Sequence, residues 1–196
     1  IFTSFVGMLI APAESSIYSS CLIILAISIG SGASGALNMW YERDTDKLMT
    51  RTKDRVIPAG IIAPTNALIF GTSLSILSVT ILYYVSNFLA ACLLASTIAY
   101  YIFVYTIWLK KRTPQNIVIG GAAGALPPVI GWTIATGQIS IEPIILFLII
   151  FFWTPSHFWA LSLYKSDDYK KANIPMLPLT NGVESTKLNI FVYSLL

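Results

Sequence analysis

The chain has 196 residues, of which 56% are hydrophobic and 11% charged, where an ordinary soluble domain carries roughly 25% charged residues. That composition excludes a water-soluble globule, whose surface needs far more polar cover, and fits a helical bundle embedded in a bilayer. The net charge of +3 does not point to nucleic acid, because the bases are interleaved with acids beside apolar runs.

Apolar runs long enough to cross a bilayer, about 20 residues each, lie at 17–39, 65–86, 88–108, 116–136 and 141–163. Two shorter runs, IFTSFVGMLIAP and NIFVYSLL, stand at the ends. Neither crosses alone, so residues 1–196 are expected to form a single transmembrane domain cut inside a first and a seventh span. The opening run also resembles a signal-peptide tail in length, but no small-residue cleavage pattern follows it and APAESS reads as a turn. Cys21 and Cys92 fall within spans and are expected to pack rather than cross-link.

Every Lys and Arg falls after the second, fourth or sixth span. The intervening loops, around Glu14, Asn87 and GQISIE, contain none. This asymmetry puts the three basic loops on the cytoplasmic side, or the matrix side of a mitochondrial membrane.

The second span runs into NMWYERDTDKLMTRTKDRVIPAG, residues 38–60, which holds four acids and five bases. If the helix continues, Asn38, Glu42 and Asp46 form one stripe, since residues four apart differ by about 40° in direction and about 6 Å in height. Asp44 faces elsewhere. A solvated helix end, with its carboxylates paired to Arg43 or Lys47, fits the same spacing.

A second acidic stretch, TPSHFWALSLYKSDDYKKA, closes the sixth span. On a continuous helix Tyr164 and Asp168 share a face, His157 lies deeper on it, and Asp167 stands beside them. Two sets of acids at one membrane face repel unless a cation lies between them. Mg²⁺ prefers a few carboxylate or amide oxygens, with phosphates completing its shell. Arg51 and Arg55 offer two guanidinium forks to such phosphates. Lys110, Lys111 and Arg112 add charge on the same side, although topology signals and anionic-lipid contacts look alike. A lone histidine such as His157 is often a packing residue, yet ionisable groups at membrane depth tend to be functional. GGAAGALPPVIGW packs small residues and a Pro pair into the fifth span, which predicts close helix packing with a kink, or a broken helix lining a cavity.

NMWYERDTDKLMTRTKDR, YTIWLKKRTPQNIVIGGAAGALPPVIGW and TPSHFWALSLYKSDDYKKANIPMLP together resemble the protohaem IX farnesyltransferases, or haem O synthases, of the UbiA superfamily of intramembrane prenyltransferases. The resemblance covers essentially the whole chain. It implies an all-α, polytopic UbiA-like bundle that transfers a farnesyl group from farnesyl diphosphate to the vinyl group of protohaem IX, with addition of water. It further implies Mg²⁺ on Asn38, Glu42, Asp46 and Asp168, with Asp167 as an additional donor. Arg51, Arg55, Lys110 and Lys111 would bind the diphosphate, and His157 and Tyr164 would contact haem. The second motif departs from the superfamily pattern: Tyr164 stands where the first of two aspartates is usual. The implied setting is a bacterial cytoplasmic or mitochondrial inner membrane, with a haem A synthase as a downstream partner. A quinone-pathway aromatic prenyltransferase shares the metal chemistry and differs in acceptor. A cation-coupled secondary transporter also fits intramembrane acids, but it predicts them near the midplane.

Overall fold

The computed structural model describes residues 1–13 and 16–196. Among these, every regular element is a helix. α1 spans Phe2–Ile10, α2 Ile17–Asp46, α3 Pro64–Val85 and α4 Phe88–Leu109. α5 is Asn116–Ala125, α6 Pro127–Thr136 and α7 Ile141–Tyr164, and the chain closes with α8 at Ser166–Lys171, α9 at Leu177–Thr180 and α10 at Val183–Ser194. All five expected spans are present, as α2, α3, α4, the pair α5–α6, and α7. The turn expected at APAESS includes Glu14 and Ser15, which lie outside the described residues.

Burial differs sharply among the spans. Only 17% of the most apolar windows of α3 and α7 is buried, against 67% for α5–α6. Helices that are apolar all round yet open on most of their surface require a hydrocarbon solvent. The fifth span is the axial one, and small residues let its neighbours close on it. A Cβ at Gly7 of α1 or Gly131 of α6 would overlap Pro128 O or Ser4 O, so only glycine permits that crossing.

Local chemistry sets the ends. Ser16 Oγ accepts from the Ser19 amide at the start of α2, and Asn87 Oδ1 accepts from the Ala90 amide at the start of α4. Asn87 also donates Nδ2 to Thr133 O at 2.9 Å, tying α4 to the end of α6. α5 stops at Ala125 because Pro127 and Pro128 lack the N–H groups that would continue it. The helical bonding is interrupted at the Pro pair, while Leu126 itself stays in the α region, with φ −70° and ψ −26°. Cys21 and Cys92 carry free thiols, and Cys21 is exposed rather than packed.

Two apolar clusters result. One joins Met8 of α1 and Ile23 and Ile27 of α2 to Leu82, Leu94, Ile98 and Ile130. The other, at the basic-loop end, joins Met49, Ile117, Tyr169, Ala172, Ile174 and Met176. Members of both line a single cavity of about 520 Å³.

Candidate active site

α2 runs 30 residues, past its apolar stretch, so the stripe forms as expected. Asn38, Glu42 and Asp46 all line the cavity, and Glu42 and Asp46 are each only 3% exposed. Carboxylates buried this deeply need compensation, and each has a cation. Lys110 Nζ pairs with Glu42 Oε2, and Arg55 Nη1 donates to Asp46 Oδ2 at 2.9 Å. Asn38 Nδ2 donates to Glu42 Oε2 at 2.9 Å and to Thr106 Oγ1 at 3.2 Å. Pairing with Arg43 and Lys47, which the spacing also allowed, involves only the exposed Asp44, at 3.8 and 3.5 Å.

Lys110 reaches Glu42 because the second half of α4, Tyr100–Leu109, is π-helical. In α geometry residues five apart differ by about 140° in direction. With i→i+5 bonding they stack instead. Thr106 Oγ1 donates to Tyr101 O at 2.9 Å and the Lys110 amide to Tyr105 O at 3.0 Å. Tyr101, Tyr105 and Lys110 thus all line the cavity, with Lys110 Nζ 5.8 Å from the Tyr105 ring centre. A Cβ at Gly120 of α5 would overlap that ring, so the small residue there makes room for Tyr105.

The second acidic stretch behaves differently. α7 ends at Tyr164, and Lys165, with φ −116° and ψ 21°, turns the chain into α8. The expected stripe is broken there. Tyr164 is 86% exposed, Asp167 is exposed, and His157 lies on the exposed face of α7, stacked on Trp153 with ring centres 4.6 Å apart. Neither His157 nor Tyr164 lines the cavity. Lys111 is exposed and outside it, whereas Arg51 and Arg55 line it. Asp168 is 8% exposed but turned toward the loop of residues 47–63. Its Oδ1 accepts from the Thr50 amide at 3.2 Å and its Oδ2 from the Arg51 amide at 3.3 Å. The Thr50 hydroxyl, these two amides and Lys171 hold its pKa below the usual carboxylate range, against the opposing effect of desolvation. Among the described residues no three Asp, Glu, His or Cys side chains group around one point.

A divalent ion is still compatible with the α2 wall. Glu42 and Asp46 supply two carboxylates, and both N–H groups of the Asn38 amide are committed, leaving its carbonyl oxygen for a metal. One or two carboxylates plus phosphate oxygens and water is the ordinary way Mg²⁺ is held. The cavity wall also includes residues that spacing did not single out: Tyr101, Tyr105, Asn116, Phe158 and Tyr169. Asn116 is fully buried, and its Nδ2 donates to Thr113 O at 2.6 Å while its Oδ1 has no partner.

The sequence pattern of the UbiA prenyltransferase family matches residues 1–196. The chain belongs to this family. It is 70% identical over 196 residues to a protoheme IX farnesyltransferase of Pelagibacter ubique, covering 100% of this chain and 65% of that protein. It is 57% identical to a protein of the same description from Ehrlichia ruminantium, covering 66% of it, and 58% identical over 195 residues to protoheme IX farnesyltransferase 2 of Mesorhizobium japonicum, covering 62%. The chain thus spans slightly less than two thirds of the length of these curated relatives. The structure of a UbiA homologue from Archaeoglobus fulgidus bound to DMAPP and Mg²⁺ superposes with a TM-score of 0.77 at 18% identity, over 98% of this chain and 68% of that one. The same homologue bound to GPP and Mg²⁺ gives 0.75 over 99% and 67%. The all-helical membrane fold expected from the sequence is the fold of this family.

Proposed function

We propose that this chain forms the catalytic cavity of a protohaem IX farnesyltransferase: it takes farnesyl diphosphate and joins the farnesyl group to the vinyl group of protohaem IX, with addition of water, giving haem O and diphosphate. The observation that carries this reading is a cavity of about 520 Å³ with two buried carboxylate–cation pairs at one end and aliphatic walls from Ile27, Leu94, Ile98 and Ile130 at the other. A prenyl diphosphate has the same division, a charged head on an apolar tail. The names carried by the relatives above support the choice of prenyl donor and acceptor.

In the proposed reaction the allylic C–O bond breaks and its electron pair leaves with the diphosphate. The vinyl group attacks the prenyl carbon, water closes the resulting cation, and a proton is released. Bound by Asn38, Glu42 and Asp46, Mg²⁺ would act as a Lewis acid on the leaving group. Lys110 and Arg55, now engaged with those carboxylates, would transfer their hydrogen bonds to phosphate oxygens, and Arg51 would add a third cation. The Tyr101 and Tyr105 rings line the same cavity and present π-faces to a developing prenyl cation. Tyr164 and Trp159, the aromatics nearest the second motif, lie outside the cavity wall.

His157 as a haem contact would place the acceptor on the outer face of α7, where Trp153 stacks on it. The basic loops would face cytoplasm or matrix, and haem O would pass through the bilayer to a haem A synthase. Vesicle-reconstituted protein incubated with haem, farnesyl diphosphate and Mg²⁺ is expected to yield a haem heavier by one farnesyl group and one hydroxyl group. Product formed instead with 4-hydroxybenzoate, or none with either acceptor, overturns the reading.

A further inference from the structure

We propose that Thr106 is a positioning residue: its buried hydroxyl fixes the Asn38 carboxamide so that the carbonyl oxygen, and not an N–H group, faces the divalent ion. The inference rests on the metal reading above and adds the group that orients one of the ligands. Thr106 lies on α4, is 1% exposed and stands outside the cavity wall, whereas Asn38 lines it. The two meet across 68 positions of sequence, with Asn38 Nδ2 donating to Thr106 Oγ1 at 3.2 Å.

The polarity of that contact follows from donors and acceptors alone. A side-chain amide has an N–H edge and a carbonyl edge of nearly the same shape, so its neighbours decide which way it turns. A hydroxyl has one proton, and Thr106 gives its proton to Tyr101 O at 2.9 Å, an atom that can only accept. Toward Asn38 the hydroxyl is therefore an acceptor, and the amide must answer with N–H. Ser28, Ser34 and Thr97 bond the carbonyl four residues back, as α-helical hydroxyls do. Thr106 reaches five back, in step with the π winding of Tyr100–Leu109. Glu42 Oε2 receives the other Asn38 N–H, but that oxygen also holds Lys110 and belongs to a proposed metal ligand. The tie to Glu42 is thus open to exchange when an ion and a diphosphate enter. The tie to Thr106 lies outside the cavity and is not. Turned the other way, the amide would set N–H groups against a cation and its carbonyl against the lone pairs of Thr106.

The test is a titration of the reconstituted protein with Mn²⁺ alone, read by electron paramagnetic resonance, since Mn²⁺ shares the oxygen preference of Mg²⁺. Thr106→Val removes the hydroxyl at nearly constant shape. It is expected to weaken Mn²⁺ binding roughly tenfold to a hundredfold, the scale of a lost partner behind a metal ligand. Thr106→Ser keeps the hydroxyl and should bind within about threefold of the unaltered protein. In an Asn38→Ala background Thr106→Val should change affinity by less than about twofold, because the amide it orients is gone. A merely structural role in α4 would weaken binding in that background as well. Undiminished Mn²⁺ affinity in Thr106→Val, no recovery in Thr106→Ser, or the same loss with and without Asn38 would each overturn the proposal. If the unaltered protein binds no Mn²⁺, the metal reading fails and the proposal falls with it, an outcome visible before any substitution is made. Should Thr106→Val not accumulate in folded form, Thr106→Ala removes the same hydroxyl and carries the same expectations.

Discussion

Glu42 and Asp46 on α2 and Asp168 on α8 are all buried carboxylates at one end of the bundle, yet only the first two face the cavity. The difference lies in the path of the backbone beyond each apolar stretch. α2 continues helically to Asp46, so side chains four apart stay in register and meet Lys110 and Arg55. α7 stops at Tyr164, and beyond the turn at Lys165 Asp168 meets backbone amides instead. One acid set meets side-chain cations and the other meets backbone amides. Spacing on a helix predicts neighbours only as far as the helix lasts.

The comparison can be broken most forcefully at Asp46. Asp46→Ala is expected to reduce turnover about a hundredfold or more while the protein remains inserted, since it removes a metal donor and leaves Arg55 without its partner. Retained turnover in vesicles would remove the α2 stripe from the chemistry. Lys110→Met should lower kcat/KM by roughly tenfold to a hundredfold. It should also strengthen Mn²⁺ binding in the absence of diphosphate, because Glu42 then has no competing cation. Weaker Mn²⁺ binding in a titration would contradict the proposed exchange of partners. Gly120→Ala presses on the Tyr105 ring and is expected to cost about 1–3 kcal/mol of stability, read as a lower midpoint in a detergent unfolding series. The smallest effect is expected at His157. His157→Ala should leave diphosphate affinity within about twofold, as the side chain stands outside the cavity. A spectral titration with haem on the same variant then tests the outer-face acceptor contact, and an unshifted haem spectrum would remove it.

Much of the fold was legible because hydrocarbon burial imposes length and composition, and the five apolar runs marked the spans to within a few residues except at the end of α2. The α2 stripe was legible for the same reason that α helices are regular. Three features were not. The π-helical stretch Tyr100–Leu109 has no compositional mark, since aromatic and β-branched residues accept either winding. The break at Lys165 lacks the Gly or Pro that usually announces one. The meeting of Asp168 with Thr50 and Arg51 joins positions more than a hundred residues apart, which no local pattern encodes.

The π-wound half of α4 has a bearing on which lengths this span tolerates. Bonding five residues back keeps extra backbone in each turn, so deleting one residue between Tyr101 and Thr106 would let the segment relax toward α geometry with little loss of hydrophobic length. In α winding residues five apart differ by about 140° in direction, so Lys110 would leave the face it shares with Tyr105 and come off Glu42. A shortened span of this kind would still insert and still look like a transmembrane helix, while stranding a negative charge inside the bundle.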